Sequence, residues 1–224
     1  MAFYRFDPAM ALCLESVLDG LDAEGRPGLR NSLGVTWIRY SDANPDAGDG
    51  LGVSWNHQKP IYPASVVKLF YAVAAEQWLQ RDLIPDSDEL ERALREMIAD
   101  SSNDATGLVL DLLTGTTSGP MLHGEHWLMW QRQRHLVNEW LETLVWPELE
   151  LVNCCQKTWG DGPFGREKAF YGHDNANRNA LTTAGTARML EAVMTGSVVS
   201  PPACRRLRAL LQRSLDPDQR RADP

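Results

Sequence analysis

The stretch Tyr62-Pro63-Ala64-Ser65-Val66-Val67-Lys68-Leu69-Phe70 places a serine in the first turn of an apolar helix and a lysine three positions later. Residues i and i+3 share one helix face, so hydroxyl and amine emerge side by side. A serine hydroxyl is a poor nucleophile at neutral pH, whereas a lysine held in an apolar wall gives up its proton more readily because burial disfavours the charged form. The N–H groups of the first turn point at incoming negative charge, which suits the oxyanion of an acyl transfer. Ser65 is therefore a candidate nucleophile and Lys68 its candidate base. Taken alone, the same pair also reads as a capping serine and a lysine snorkelling from an amphipathic helix.

Further along, Met97-Ile98-Ala99-Asp100-Ser101-Ser102-Asn103-Asp104-Ala105-Thr106 is a polar break between two apolar-faced helices. Ser, Asn and Asp supply turns and caps for ordinary reasons. Beside a helix carrying Ser65 and Lys68, however, the Ser101 hydroxyl can relay a proton to a leaving group while the Asn103 amide orients the lysine and a substrate carbonyl. Together the two segments point to acyl transfer.

The flanking sequence fills in the scaffold. Asp7-Pro8 opens an amphipathic helix with Met10, Leu14, Val17, Leu18 and Leu21 at helical spacing. Leu33 to Tyr40 and Leu51 to His57, separated by a turn-rich segment, predict a β-hairpin. Helical periodicity resumes at Ala64. Ser87 caps a helix bearing Leu90, Leu94, Met97 and Ile98, and a third helix carries Ala105, Leu108, Val109 and Leu112. A Trp-rich segment predicts one helix lying on the surface from near His126 through Leu136 and Leu141, its aromatics used for packing. Asn153 to Asn179 reads as a long ordered loop. Thr183 is the expected cap of a helix stopped by Gly196, and Ser200-Pro201 starts a last one with Cys204, Leu207 and Leu211. No internal repeat is present. After Leu215 the chain runs out in DPDQRRADP without further strands. A lone hairpin is marginal, so the expectation is either an unusual architecture or a fragment that stops before its remaining strands.

With 224 residues and 43 % hydrophobic content the chain is long enough for a real core. Its formal charge of −8 argues against a phosphate-tracking surface, and no nucleic-acid partner is expected. No stretch has the roughly 20 consecutive apolar residues of a spanning helix, and the N-terminus lacks the basic and apolar regions of a secretory signal. The expectation is a cytoplasmic protein without a membrane partner, its oligomeric state left open. Four cysteines, with Cys154 and Cys155 adjacent, predict buried thiols rather than a disulfide framework. His123, Glu125, His126 and His135 invite a metal reading but fit neither common histidine–glutamate zinc pattern, so no metal is expected.

The motifs as they stand resemble those of the serine β-lactamase and penicillin-binding superfamily, and more closely its class A β-lactamase-like branch. Ser65 and Lys68 match S-x-x-K, and Ser101 and Asn103 match S-x-N within a similar surround. The run from Asn179 to Leu190 is similar to the segment after the family's Ω-loop, so the likeness covers roughly Leu33 to Leu215. It implies an α/β (α+β) fold with a helical subdomain beside an antiparallel sheet flanked by helices. Here that means a single domain over 1–224, with the helical subdomain at about 64–196, the α/β part from 1–63 and 197–224, and the sheet incomplete. The family's Lys-Thr/Ser/Ala-Gly strand motif is missing. Lys157-Thr158-Trp159-Gly160 has the wrong spacing and does not take its role. In the Ω-loop the nearest candidate for a deacylation base is Glu167, whose bland reading is a solvated loop charge.

The resemblance implies a serine hydrolase acting on an amide or β-lactam bond through an acyl-serine intermediate, with no metal or organic cofactor. The substrate would be a small amide or β-lactam-like molecule. An esterase, peptidase or amidase on the same scaffold and a catalytically silent binding protein are the alternatives. A cytosolic member would meet neither β-lactams nor cell-wall targets, which favours another substrate.

Overall fold

The computed structural model describes residues 3–26, 28–216 and 218. The end of the expected tail, residues 219–224, and Pro217 lie outside them. In chain order the elements are β1 (Arg5–Phe6), α1 (Pro8–Ala23), α2 (Leu29–Ser32), β2 (Val35–Arg39), β3 (Leu51–Trp55), α3 (Val67–Gln80), α4 (Asp88–Ala99) and α5 (Asn103–Thr114). There follow α6 (Gly124–Arg134), α7 (Leu136–Glu142), α8 (Gly165–Tyr171), α9 (Thr183–Thr195) and α10 (Pro201–Leu211). Among the described residues this is an α/β architecture, helices dominating over one small sheet.

The sheet begins with a local cap. The Asp7 carboxylate accepts from the N–H groups of Ala9 and Met10 at 2.9 and 3.1 Å, and Pro8 occupies the first helical turn, so α1 starts there. Met10, Leu14 and Leu18 then fall on one face and pack with Val53 of β3. β2 and β3 form the expected antiparallel hairpin, from Val35 opposite Trp55 to Arg39 opposite Leu51. The pair has a third neighbour that periodicity does not reveal. β1 is two residues long and runs parallel to β3, its ladder made by Arg5 N donating to Gly50 O and Asp7 N to Gly52 O. Among the described residues the sheet is thus three-stranded and mixed, in the order β1-β3-β2, rather than an antiparallel pair. Gly52 lies so close to the Trp37 carbonyl that a Cβ would sit 2.6 Å from that oxygen.

The main core is built around α3. Every residue from Val67 to Trp78 is buried, so this helix has no solvent face over three turns. α4, α5, α7 and α10 pack against it. Ser87 caps α4 by accepting from Leu90 N, and Leu90, Ala93, Leu94 and Met97 turn inward. Gly115 ends α5 in the left-handed region, φ 62°, where glycine carries no Cβ penalty. α10 packs on α9, α4 and α3.

Four expectations are corrected. Thr182, not Thr183, caps α9, accepting from Gly185 N at 2.9 Å, while Thr183 meets Thr36 of β2, Oγ1 to Oγ1 at 2.9 Å. The Trp-rich segment breaks at His135 into α6 and α7, which lets Trp130 and Trp140 both turn inward, Trp140 edge-on to Trp78. The 153–179 loop contains α8. Cys154, Cys155 and Cys204 are buried, but Cys13 is exposed on α1.

Phe70→Ala is expected to cost about 3–5 kcal/mol, because it empties a fully buried ring volume in the central helix. Leu12→Ala, at a position 74 % exposed, should stay within about 0.5 kcal/mol. Urea denaturation of both variants checks the contrast.

Candidate active site

Ser65 sits in a single 3-10 turn, Ala64–Val66, that leads directly into α3. Ala64 has φ 46°, in the left-handed region that non-glycine residues seldom enter, and it turns the chain abruptly before the serine. Ser65 is exposed, and among the described residues its hydroxyl has no hydrogen-bond partner.

Lys68, one turn on, is only 2 % exposed. Its Nζ donates to the carbonyl oxygen of Ser101, to Ser101 Oγ at 3.1 Å and to Asn103 Oδ1 at 3.1 Å. An ammonium has three donors, and three acceptors meet them. Burial pulls the pKa of this amine down from 10.5 to about 8.

The α4–α5 turn is shaped to supply those acceptors. Ser101 has φ 53°, a second strained non-glycine residue at the site, and from it both carbonyl and hydroxyl reach the amine. Ser102, the central residue of the motif, turns away and caps α5, accepting from Ala105 N at 3.2 Å. Asn103 is the first residue of α5, so its amide is held by a helix start. The structure therefore brings Lys68, Ser101 and Asn103 into contact, with Ser65 exposed beside them on the same helical segment.

Glu167 is not part of this cluster. It lies on α8, fully buried, accepting from Ser118 Oγ at 2.8 Å and ion-paired with Arg134, which corrects its reading as a solvated loop charge. Arg134 also faces Asp111 of α5 at 3.6 Å, and Lys157 Nζ bonds Asp111 at 2.6 Å and Ser118 Oγ at 2.9 Å. Burial raises the Asp111 pKa, against the lowering effect of Lys157. Sequence reasoning missed Arg134 and Asp111, because nothing in their local spacing shows that an arginine on α6 meets a carboxylate on α8.

The segment 153–158 is clamped beside the site. Asn179 Oδ1 accepts from Cys155 N and Gln156 N, its Nδ2 donates to Gln156 O, and Tyr71 of α3 donates to the same carbonyl at 2.7 Å. Among the described residues no group of three or more His, Cys, Asp or Glu is arranged to hold a metal ion, and no helix is long and apolar enough to cross a membrane.

An amine sunk between two helices, with serine and asparagine around it and a free serine one turn away, is the kind of cluster expected of a serine-hydrolase scaffold. The chain belongs to the Beta-lactamase enzyme family, whose model matches residues 79–222. The match takes in Ser101, Asn103 and Glu167 and begins after Ser65 and Lys68. Membership supports a serine hydrolase type of function acting on a small molecule. No curated protein and no solved structure matches the chain.

Removing the Glu167 charge leaves the buried Arg134 with only its longer contact to Asp111 at 3.6 Å, so Glu167→Gln is expected to cost about 3 kcal/mol. Arg134→Met combined with Glu167→Leu should recover most of it. Thermal and urea melts of the single and double variants read the difference.

Proposed function

We propose that the protein is a serine hydrolase of the class A β-lactamase-like branch that opens an amide or β-lactam bond through an acyl intermediate on Ser65. The observation that carries this reading is the buried Lys68 amine, held by Ser101 and Asn103 and shifted to about 8. At pH 7 such an amine is neutral about 300 times more often than one with the ordinary value of 10.5. Once neutral it has two N–H donors for three acceptors and a lone pair to offer, so it can take the Ser65 proton as Oγ bonds the carbonyl carbon. When the tetrahedral intermediate collapses, the C–N bond breaks. The proton held on Lys68 then passes through the Ser101 hydroxyl to the leaving nitrogen. Asn103, bonded to Lys68 through Oδ1, keeps its Nδ2 free to orient the substrate carbonyl.

The second half-reaction needs a base for water. Glu167 is committed to Arg134 and Ser118 away from solvent, so in this scheme it does not serve, and the acyl-enzyme is long-lived.

Incubation with a fluorescent penicillin is expected to give an adduct on Ser65, seen by mass spectrometry, and none on Ser65→Ala. Lys68→Ala should slow labelling by about 10²–10⁴-fold. Persistent labelling of Ser65→Ala would put the nucleophile elsewhere. If neither penicillins nor ester and amide acylating probes label the wild type, the scaffold is a silent binding protein.

Because the neutral amine is the active form, labelling should rise about tenfold per pH unit below 8 and level off above it. Labelling rates from pH 6 to 10 test the sign. A rate that fell with rising pH through this window would exclude Lys68 as the base.

A further inference from the structure

We propose that Arg178 is a specificity-determining residue beside Ser65 that takes a carboxylate carried on the acyl half of the substrate, an inference that rests on the acyl-serine reading above. The arginine is fixed by its own backbone. Its N–H donates to Asn175 O at 2.9 Å, and its carbonyl accepts from Asn153 Nδ2 at 3.0 Å. Three residues on, Leu181 pairs with Ile61 in an isolated antiparallel bridge, Ile61 N donating to Leu181 O at 2.8 Å and Leu181 N to Ile61 O at 3.0 Å. That bridge sets residues 178–181 alongside the run Ile61-Tyr62-Pro63-Ala64-Ser65.

The side chain follows from that placement. Arg178 Cζ lies 3.4 Å from the centroid of the Tyr62 ring. This is the contact distance of two planar groups laid face to face, and an edge-on guanidinium would drive a nitrogen into the ring, so only a flat stack fits. Stacked flat, the guanidinium keeps its N–H donors in its own plane and directed outward, a rigid fork matched to a carboxylate. Tyr62 and Arg178 are both exposed. Among the described residues the guanidinium has no carboxylate partner and no hydrogen bond. Tyr171, which feels both Tyr62 and Arg178, does not take that place, because burial pushes its phenol up to about 12 and keeps it neutral.

Position selects the half of the substrate. Tyr62 is three residues before Ser65, at most about 11 Å along the chain, and the bond from Val66 N to Pro63 O at 3.0 Å folds the turn between them. The leaving nitrogen takes its proton through Ser101 and so lies against the α4–α5 turn. Among the described residues neither Tyr62 nor Arg178 shares a hydrogen bond, ion pair or ring contact with that turn. The anion therefore belongs to the acyl group that stays on Ser65. Benzylpenicillin and its α-carboxy derivative share the leaving half and differ by one carboxylate in the acyl half, so the pair isolates this contact.

The rate at which each compound acylates Ser65, followed by mass spectrometry of the adduct, is the test. Wild type is expected to react about tenfold faster with the α-carboxy compound, the effect of one charge-assisted contact. That preference should vanish in Arg178→Gln and persist in part in Arg178→Lys, which keeps the charge without the fork. In wild type it should shrink as sodium chloride rises from about 0.05 to about 1 M. A merely structural role for Arg178 would slow both compounds alike and leave their ratio unchanged. If Arg178→Gln does not fold, Arg178→Lys and the salt series decide. Equal rates in wild type, or a preference that survives Arg178→Gln or ignores salt, overturn the proposal while leaving Ser65 as the nucleophile. No adduct on Ser65 from either compound removes the acyl-serine reading and this proposal with it.

Discussion

The molecule is organised around a cation taken out of water. Burying the Lys68 ammonium is costly unless every donor is met. Ser101 and Asn103 meet all three, and the requirement propagates outward. Ser101 has to enter the left-handed region to offer carbonyl and hydroxyl together, and Ser102 then has to cap α5 so that the helix can begin one residue later with Asn103. The apolar wall of α3 that desolvates the amine is the same wall that joins α4, α5, α7 and α10. Stability and reactivity at Lys68 are thus two sides of one placement: the packing that closes the core also moves the amine toward the neutral form.

A second buried charge cluster lies farther along α5. Asp111 sits two turns beyond Asn103, and through Arg134 and Lys157 it connects α5 to α6, α8 and the 153–158 segment. Arg134 is also stacked over Trp130, which packs with Trp127 and Phe170. The tryptophans of the Trp-rich segment therefore serve packing, and the charge network sets where that packing attaches. Both ends of α5 are held by ionic contacts, the first open to solvent through Ser65, Ser101 and Asn103 and the second closed.

Much of this was legible in the sequence because it is local. Periodicity located α1, α3, α4, α5, α9 and α10, and the two Trp-bearing runs around residues 37 and 55 gave the hairpin. The nearness of Ser101 and Asn103 to Lys68 was legible from motif spacing and family resemblance. What was hidden has long-range causes. β1 consists of two residues and is defined by its partner rather than by a pattern of its own. The break at His135 carries no proline or glycine and follows from the need to bury Trp130 and Trp140 on different neighbours. Glu167 looked like a loop charge because its partner, Arg134, is 33 residues away. The left-handed Ala64 has no sequence marker at all, since alanine is not one of the residues that routinely enter that region.

The clamp on residues 153–158 has a further consequence for motion. One asparagine, Asn179, holds two successive amides and a carbonyl, and the carbonyl is held again by Tyr71 from within α3. Freeing the Cys155 and Gln156 amides means breaking bonds rooted in the central helix, so this stretch opens with the core and not with the surface loops around it. Its amide protons should exchange with solvent as slowly as those of α3, making part of an irregular segment kinetically equivalent to the most protected helix of the fold.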